Sequence, residues 1–298
     1  MPRLIDPGGG DAIGLDELVE ALDATPFDAR DEDAFAALGP LLARLGRNRD
    51  FLAELAIDEL KTRCEGQAAG NGYGAQVFLL RPPNGRYVLR ANFWPAQDDP
   101  LVRASGPAAF FYGMPHDHNF PFLTYGYAGP GYWSGYYEYD VEALTGLADE
   151  PAGLRFVERS RLEPGRLMLY RMRRDVHAQL PPDSLSVSLN ILGADPAQPW
   201  LDQYRFDTDA GTIAAALTST AAEALVTLAV HFGGNGIDLA HHLLATHPCD
   251  RMRTTALAAL ASAMPESAGT ILEAAAESPR AYVAGTARAK LTALQTAP

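Results

Sequence analysis

The chain is 298 residues long, with 47% hydrophobic and 20% charged residues, a globular balance that excludes wholesale disorder and collagen-like or low-complexity organisation. That length fits one large domain or two ordinary ones. Acidic residues number 37 against 24 basic, a net charge of −13, which argues against a nucleic-acid partner, whose phosphates need a basic face, and against docking on anionic membranes.

The first ten residues hold no apolar core of the signal-peptide kind, and Gly8-Gly9-Gly10 reads as a loose terminus. From about Leu15 to Glu65, apolar residues recur at helical spacing: Leu15, Leu18, Val19 and Leu22, then Leu38, Leu41, Leu42 and Leu45, then Phe51, Leu52, Leu55 and Leu60. Two or three helices are predicted there, with a solvated acidic face carrying Asp28, Asp31, Glu32 and Asp33. From about Gly70 the pattern changes to short strands. Ala75 to Leu80 and Tyr87 to Phe93 flank Pro82-Pro83-Asn84-Gly85, a hairpin turn. Strands are also predicted at Ala108 to Tyr112, Phe122 to Tyr127, Tyr132 to Tyr139, Leu154 to Ser160, Leu167 to Arg171 and Ser186 to Ile191, which suggests a β-sandwich or barrel. The Gly70-Asn-Gly-Tyr-Gly74 run opens a strand rather than a helix, so it is no dinucleotide fingerprint.

Beyond about Gly211 the chain is rich in Ala and Leu, and helices are predicted near 212–231, 236–246, 250–263, 266–277 and 280–295. The longest apolar run, Thr212 to Phe232, is broken by Glu223, Thr and His and reads as a buried helix rather than a membrane span. A faint repeat at offset 31 sets Pro248 on Pro279, Met252 on Val283, Ala256 on Ala287 and Leu260 on Leu291, a period that resembles HEAT-type stacked helical hairpins; a plain helical bundle is the alternative. Two cysteines, Cys64 and Cys249, in a chain of this size fit reduced thiols and a cytoplasmic location.

The chemistry concentrates at Pro115-His-Asp-His-Asn-Phe120. On a strand, residues two apart share a face, so His116 and His118 aim at one point and Asp117 aims away. Two imidazoles so placed are half of a first-row metal site, or else a hydrogen-bonded pair on a loop. His177 follows a Pro164-Gly165 turn and a further strand, and it is the one other histidine of the strand region. Tyr125 and Tyr127 alternate on one strand and are candidate acids or hydrogen-bond donors beside the site. Asp175, two before His177, would share its face and could orient its ring.

This arrangement resembles the cupin superfamily over roughly residues 70–193, and within it the thiol dioxygenases, on His116-Asp117-His118, the later His177 and the strand Val187-Ser188-Leu189. The resemblance implies a double-stranded β-helix in which the three histidines hold Fe(II) and leave positions open to substrate and O2. It also implies a basic residue on an early strand that clamps a substrate carboxylate, with Arg90 and Arg81 the candidates by position. Where those enzymes continue with a His and a Tyr, this chain has Asn190 and Leu192, which puts cysteine as substrate in doubt. The Glu of other cupins is missing near Phe122, and Glu138 is the candidate to restore a carboxylate ligand.

The expected architecture is therefore α+β: helices over 1–69, a cupin-like metal-binding barrel over 70–208 and an all-α, HEAT-like helical-hairpin domain over 209–298. The expected function is a non-haem metal-dependent oxygenase, with Fe(II) or otherwise Cu, Mn, Ni or Zn, acting with O2 on a small amino-acid-like, thiol or peptide substrate. The alternative is a non-catalytic metal or ligand sensor whose helical tail binds a protein partner.

Overall fold

A computed structural model describes residues 2–74 and 76–296. The chain begins with a short strand, β1 (Arg3–Ile5), and then helices α1 (Leu15–Ala24), α2 (Glu32–Ala36), α3 (Gly39–Arg47), α4 (Phe51–Lys61) and α5 (Glu65–Gly70). The helices start where the local chemistry favours it. Asp31 caps α2 by accepting from the amides of Asp33 and Ala34, both at 3.0 Å. The glycine segment expected to be loose is held instead: Arg47 donates to the carbonyls of Pro7 (3.0 Å), Gly9 (3.2 Å) and Gly10 (3.3 Å).

Next come the strands β2 (Val77–Arg81) and β3 (Tyr87–Trp94), helix α6 (Pro100–Ser105), then β4 (Phe122–Ala128), β5 (Tyr132–Glu138), β6 (Arg155–Leu162), β7 (Leu167–Tyr170), β8 (Asp175–Leu180), β9 (Ser186–Gly193), β10 (Tyr204–Asp207) and β11 (Thr212–Ala216). The β2–β3 hairpin closes as the sequence indicates, with the Asn84 side chain accepting from the amides of Arg86 and Tyr87 and Gly85 in the left-handed region. Ala75, the first residue of the expected strand, lies outside the described residues. The strand expected at Ala108 to Tyr112 is a 3-10 turn over Pro107–Phe110; Gly106 at φ 79° and Pro107 at its start set the turn, and Phe111 at φ 59° ends it.

A six-stranded antiparallel sheet has the order β1-β7-β4-β9-β3-β2, and a second sheet has the order β6-β5-β8. The extended segment around His116 bridges β8 and β10: His116 and His177 exchange backbone hydrogen bonds at 3.0 Å each way, and Phe206 donates to the Pro115 carbonyl at 2.9 Å. The β10–β11 hairpin thereby continues the second sheet.

The large sheet is covered on both faces, which is why β4, β7 and β9 are buried nearly throughout. On one face Leu89, Leu123, Leu169, Leu189 and Ile191 pack with Leu18, Phe35, Leu42 and Leu45 of the N-terminal helices. On the other, Val88, Phe122, Met168, Tyr170 and Leu192 pack with Tyr132, Tyr136 and Leu162 of the second sheet. Alternation along each strand divides its residues between these two cores.

The tail holds helices α7 (Ala221–His231), α8 (Asn235–Thr246), α9 (Asp250–Ala263), α10 (Ala268–Ala276) and α11 (Ala281–Thr296). Thr220 and Glu223 form a capping box at the start of α7. Helix α7 begins nine residues later than expected because Thr212–Ala216 pairs with Tyr204–Asp207 around Gly211 at φ 70°; ladder pairing overrides the helical preference of the alanines. The paired repeat positions Met252 and Val283, and Ala256 and Ala287, are all buried. Among the described residues no helix is long and apolar enough to cross a membrane.

Candidate metal centre

Local backbone chemistry delivers the two histidines of the His-Asp-His run. Gly113, at φ 70°, turns the chain out of the 3-10 turn and donates to the Gln179 carbonyl at 2.8 Å. The segment then lies against β8. Asp117 is fully buried on its far side, where it accepts from the Tyr139 hydroxyl and the Tyr204 amide, each at 2.5 Å. Burial pushes its carboxyl up to about 6, although both hydrogen bonds favour the carboxylate. With Asp117 anchored outward, His116 and His118 face inward, as the spacing predicts.

His177 joins them from β8. The ring centroids lie 4.9 Å (His116–His118), 4.6 Å (His116–His177) and 5.1 Å (His118–His177) apart. One nitrogen from each ring lies within 4.8 Å of the other two. The Nε2 atoms of His118 and His177 are 3.0 Å apart. Two cis ligands at about 2.1 Å from a common octahedral ion are separated by about 3.0 Å, so this spacing suits a shared ion. His116 has its Nδ1 fixed by the Met114 carbonyl at 2.8 Å, which leaves its Nε2 lone pair for the centre.

Electrostatics point the same way. Burial lowers His116 to about 4, with the Met114 hydrogen bond opposing. Burial and then the neighbouring imidazoles hold His118 well below its ordinary value, and burial does the same for His177. All three rings are therefore neutral near pH 7, the state in which imidazole ligates. Phe122 and Phe120 pack on His118 at 4.8 and 5.1 Å, and Tyr170 on His177 at 4.7 Å. The residues present thus fit a first-row divalent ion: three neutral imidazoles on one side and an opening on the other.

That opening is a cavity of about 230 Å³ lined by the triad together with Arg90, Trp94, Tyr132 and a group of carboxamides. Arg90 lies on the inward face of β3, opposite Asn190 of β9 in the ladder. Its guanidinium sits 5.0 Å from the ring of Tyr73, and its Nε is buried with no hydrogen-bond partner. Burial pushes its pKa down, yet an arginine stays charged.

Several expected site residues lie elsewhere. Tyr125 and Tyr127 share a face, but it is the helix-facing one. Tyr125 packs on Gly46 of α3, and the Tyr127 hydroxyl donates to the carbonyls of Asn48 (3.0 Å) and Arg49 (2.8 Å). The inward residues of β4 are Phe122 and Thr124, so these tyrosines are not brought to the pocket. Glu138 is not among the metal-competent nitrogens and carboxylates that converge. Tyr136 is the residue opposite His177, and Glu138 lies one pleat further along β5, opposite Asp175. There it pairs with Arg155 and, at 2.7 Å, with Arg171. Asp175 likewise accepts from the Arg171 backbone (2.7 Å) and guanidinium (2.6 Å) rather than from the His177 ring. Arg81 pairs with Asp23 at 2.8 Å and stays outside.

Sequence reasoning missed the carboxamides. Gln179 stands two residues beyond His177 and obeys the same-face rule, and its Nε2 lies 3.4 Å from that of His177. Gln76, Asn92 and Gln203 carry no comparable signal, because only the folding of β2, β3 and the 203 segment around the cavity assembles them.

No family model matches the chain, and no curated protein does. Among solved structures it is similar to a cupin domain from Bordetella pertussis (14% identity, 41% of this chain and 96% of that one, TM-score 0.24). It is also similar to a putative mannose-6-phosphate isomerase from Ralstonia eutropha (12%, 40% and 83%, TM-score 0.24) and to a DMSP lyase from Ruegeria pomeroyi (12%, 65% and 79%, TM-score 0.26).

Proposed function

We propose that the chain is a metal-dependent oxygenase of the cupin type that acts on a small carboxylate. The observation that carries this reading is the convergence of three neutral imidazoles at one end of a cavity whose wall holds a half-buried arginine with its Nε buried and without a partner. Two facing sheets with a shared core support the barrel, and the His116-Asp117-His118, His177 and Val187-Ser188-Leu189 pattern supports the thiol-dioxygenase side of that superfamily. We take the helices of 1–69 as a layer on the barrel, the barrel as ending with β11, and the tail as a HEAT-like domain from α7.

What an ion such as Fe(II) supplies when bound is activation of O2 and of a coordinated substrate. The chain's own residues do the rest. Arg90 takes the substrate carboxylate in a charge-assisted pair. The aromatic wall of Trp94, Phe122 and Tyr132 excludes bulk water and so strengthens that pair. The three rings stay unprotonated and would hold the ion at the end of the cavity. Asp117, anchored by Tyr139 and Tyr204, fixes the angle at which the histidine pair enters. A cavity of 230 Å³ is below the roughly 300–1,000 Å³ of sites for drug-sized ligands, which favours a small molecule over a peptide chain.

The test is elemental analysis of protein purified anaerobically without chelators, beside His116→Ala and His177→Ala. One metal ion per chain is expected in the native protein and a loss in both variants; full metal in either variant overturns the site. Iron would then be followed by an oxygen-electrode screen of small carboxylates.

One observation favours the sensor reading. On α7, Leu225 and Leu228, with Phe232 just beyond, are 62%, 51% and 80% exposed, an apolar stripe suited to a protein partner. A sensor would bind metal and ligand yet consume no O2, so the same electrode measurement separates the two.

A further inference from the structure

Resting on the cavity as the substrate site, we infer that its substrate is a small hydroxylated carboxylate and not an α-amino acid. The lining carries five carboxamides, Gln76, Asn92, Gln179, Asn190 and Gln203, and one cation, Arg90; among the described lining residues there is no Asp or Glu. Four of the five are buried: Gln76 to 8% exposure, Asn92 to 5%, Gln179 to 4% and Asn190 to 3%. In three of them the carbonyl oxygen (Gln76 Oε1, Asn92 Oδ1 and Gln179 Oε1) is buried and has no hydrogen-bond partner, and Arg90 Nε is in the same condition. Buried polar groups are nearly always paired, because leaving one unmade is costly. Four unmade bonds around one cavity describe the ligand that completes them.

Chemistry narrows that ligand. Arg90 calls for an anion that takes a planar fork, which a carboxylate provides. The carboxamides call for neutral groups that both donate and accept, since an amide can lie either way round and a hydroxyl answers both orientations. An ammonium answers the oxygens alone. It would also place a second positive charge in a low-dielectric site that already holds Arg90 and has no acid to balance it. A thiol is too weak a donor to satisfy an amide oxygen. Gln179, beside His177, sets one of these hydroxyl contacts at the triad end of the cavity, while Arg90 and Asn92, alternate residues of β3, share the inward face with Asn190 across the ladder.

The experiment is calorimetric titration of the metal-replete protein, kept anaerobic so that nothing turns over, with three acids of one skeleton: lactate, alanine and propionate. Erythronate and its neutral alcohol erythritol form a second pair. Lactate and erythronate are expected to bind at least about tenfold more tightly than alanine, propionate or erythritol, as in sites built to bond a substrate hydroxyl. Arg90→Met should remove at least about tenfold of the affinity for both hydroxy acids. Asn92→Leu should reduce the lactate-over-propionate preference without lowering the melting temperature of the free protein, because it deletes a buried amide oxygen that has no partner. Alanine or propionate binding as tightly as lactate overturns the inference, as does the absence of binding by every acid. Repeating the titration on His116→Ala separates the two claims. A hydroxy-acid preference in a chain that binds no metal even when native keeps this inference and removes the oxygenase reading; metal binding with alanine preferred does the reverse.

Discussion

The three histidines act through what burial does to their protons. In the folded chain His116 takes a proton only near pH 4, because burial opposes the charged ring, and His118 and His177 are also held well below their ordinary value. In the unfolded chain each takes one near 6.5. As pH falls from 6.5 toward 4 the unfolded state therefore binds more protons, and stability is lost across that window. For His116 alone the loss is on the order of 3 kcal/mol by linkage. Asp117 works the other way. Its carboxyl, raised by burial to about 6 from 3.8, takes its proton first in the folded state and returns part of the loss below pH 6. Three rings outweigh one carboxyl, so chelator-treated protein should be markedly easier to unfold in urea at about pH 4.5 than at about pH 7. A flat profile would mean that the rings are not buried in the neutral form.

Between elements, a close fit is that of α3 on the large sheet. Gly46 faces Tyr125, and a Cβ there would come within 2.1 Å of the ring. The helix therefore rests on β4 through a missing side chain, and Tyr125 serves this contact rather than catalysis. Gly46→Ala should cost about 1–3 kcal/mol by overpacking. Thermal melts should show this loss while metal stoichiometry stays native, since the disturbed face is opposite to the triad. A fall in bound metal instead would show that the two faces of the sheet are mechanically coupled.

At the scale of the molecule, one arginine ties the strands to the tail. Arg251 of α9, 7% exposed, reaches Asp202 at 2.8 Å, the Pro199 carbonyl at 2.6 Å and Glu223 at the start of α7. It thus joins two tail helices to the 199–202 segment, which leads through Gln203 to the cavity wall. Arg251→Met leaves two carboxylates without this partner, and breaking a buried pair costs about 3–5 kcal/mol. Limited proteolysis of this variant should cut faster in the 217–220 segment between β11 and α7. Unchanged cutting would mean that apolar packing alone holds the tail in place.

Local signals sufficed for much of this chain. Helical spacing marked α1, α3 and α4, turn chemistry marked the β2–β3 hairpin, and the period of two gave the shared aim of His116 and His118. Such features depend on neighbours in sequence, and a residue's neighbours are written beside it. Which face of a strand meets which layer is not written there. Tyr125 and Tyr127 alternate correctly, yet on a sheet covered on both sides either face can be apolar, and only the helices behind β4 decided that they look away from the pocket. The same holds for Thr212–Ala216, whose alanines favour a helix until Tyr204–Asp207 offers a ladder, and for Glu138, which two arginines claim. The ring of carboxamides is the clearest case. Gln179 keeps the period of two from His177, but Gln76, Asn92 and Gln203 share no such spacing with the triad, so only long-range packing, which sets distant residues around one cavity, could reveal them.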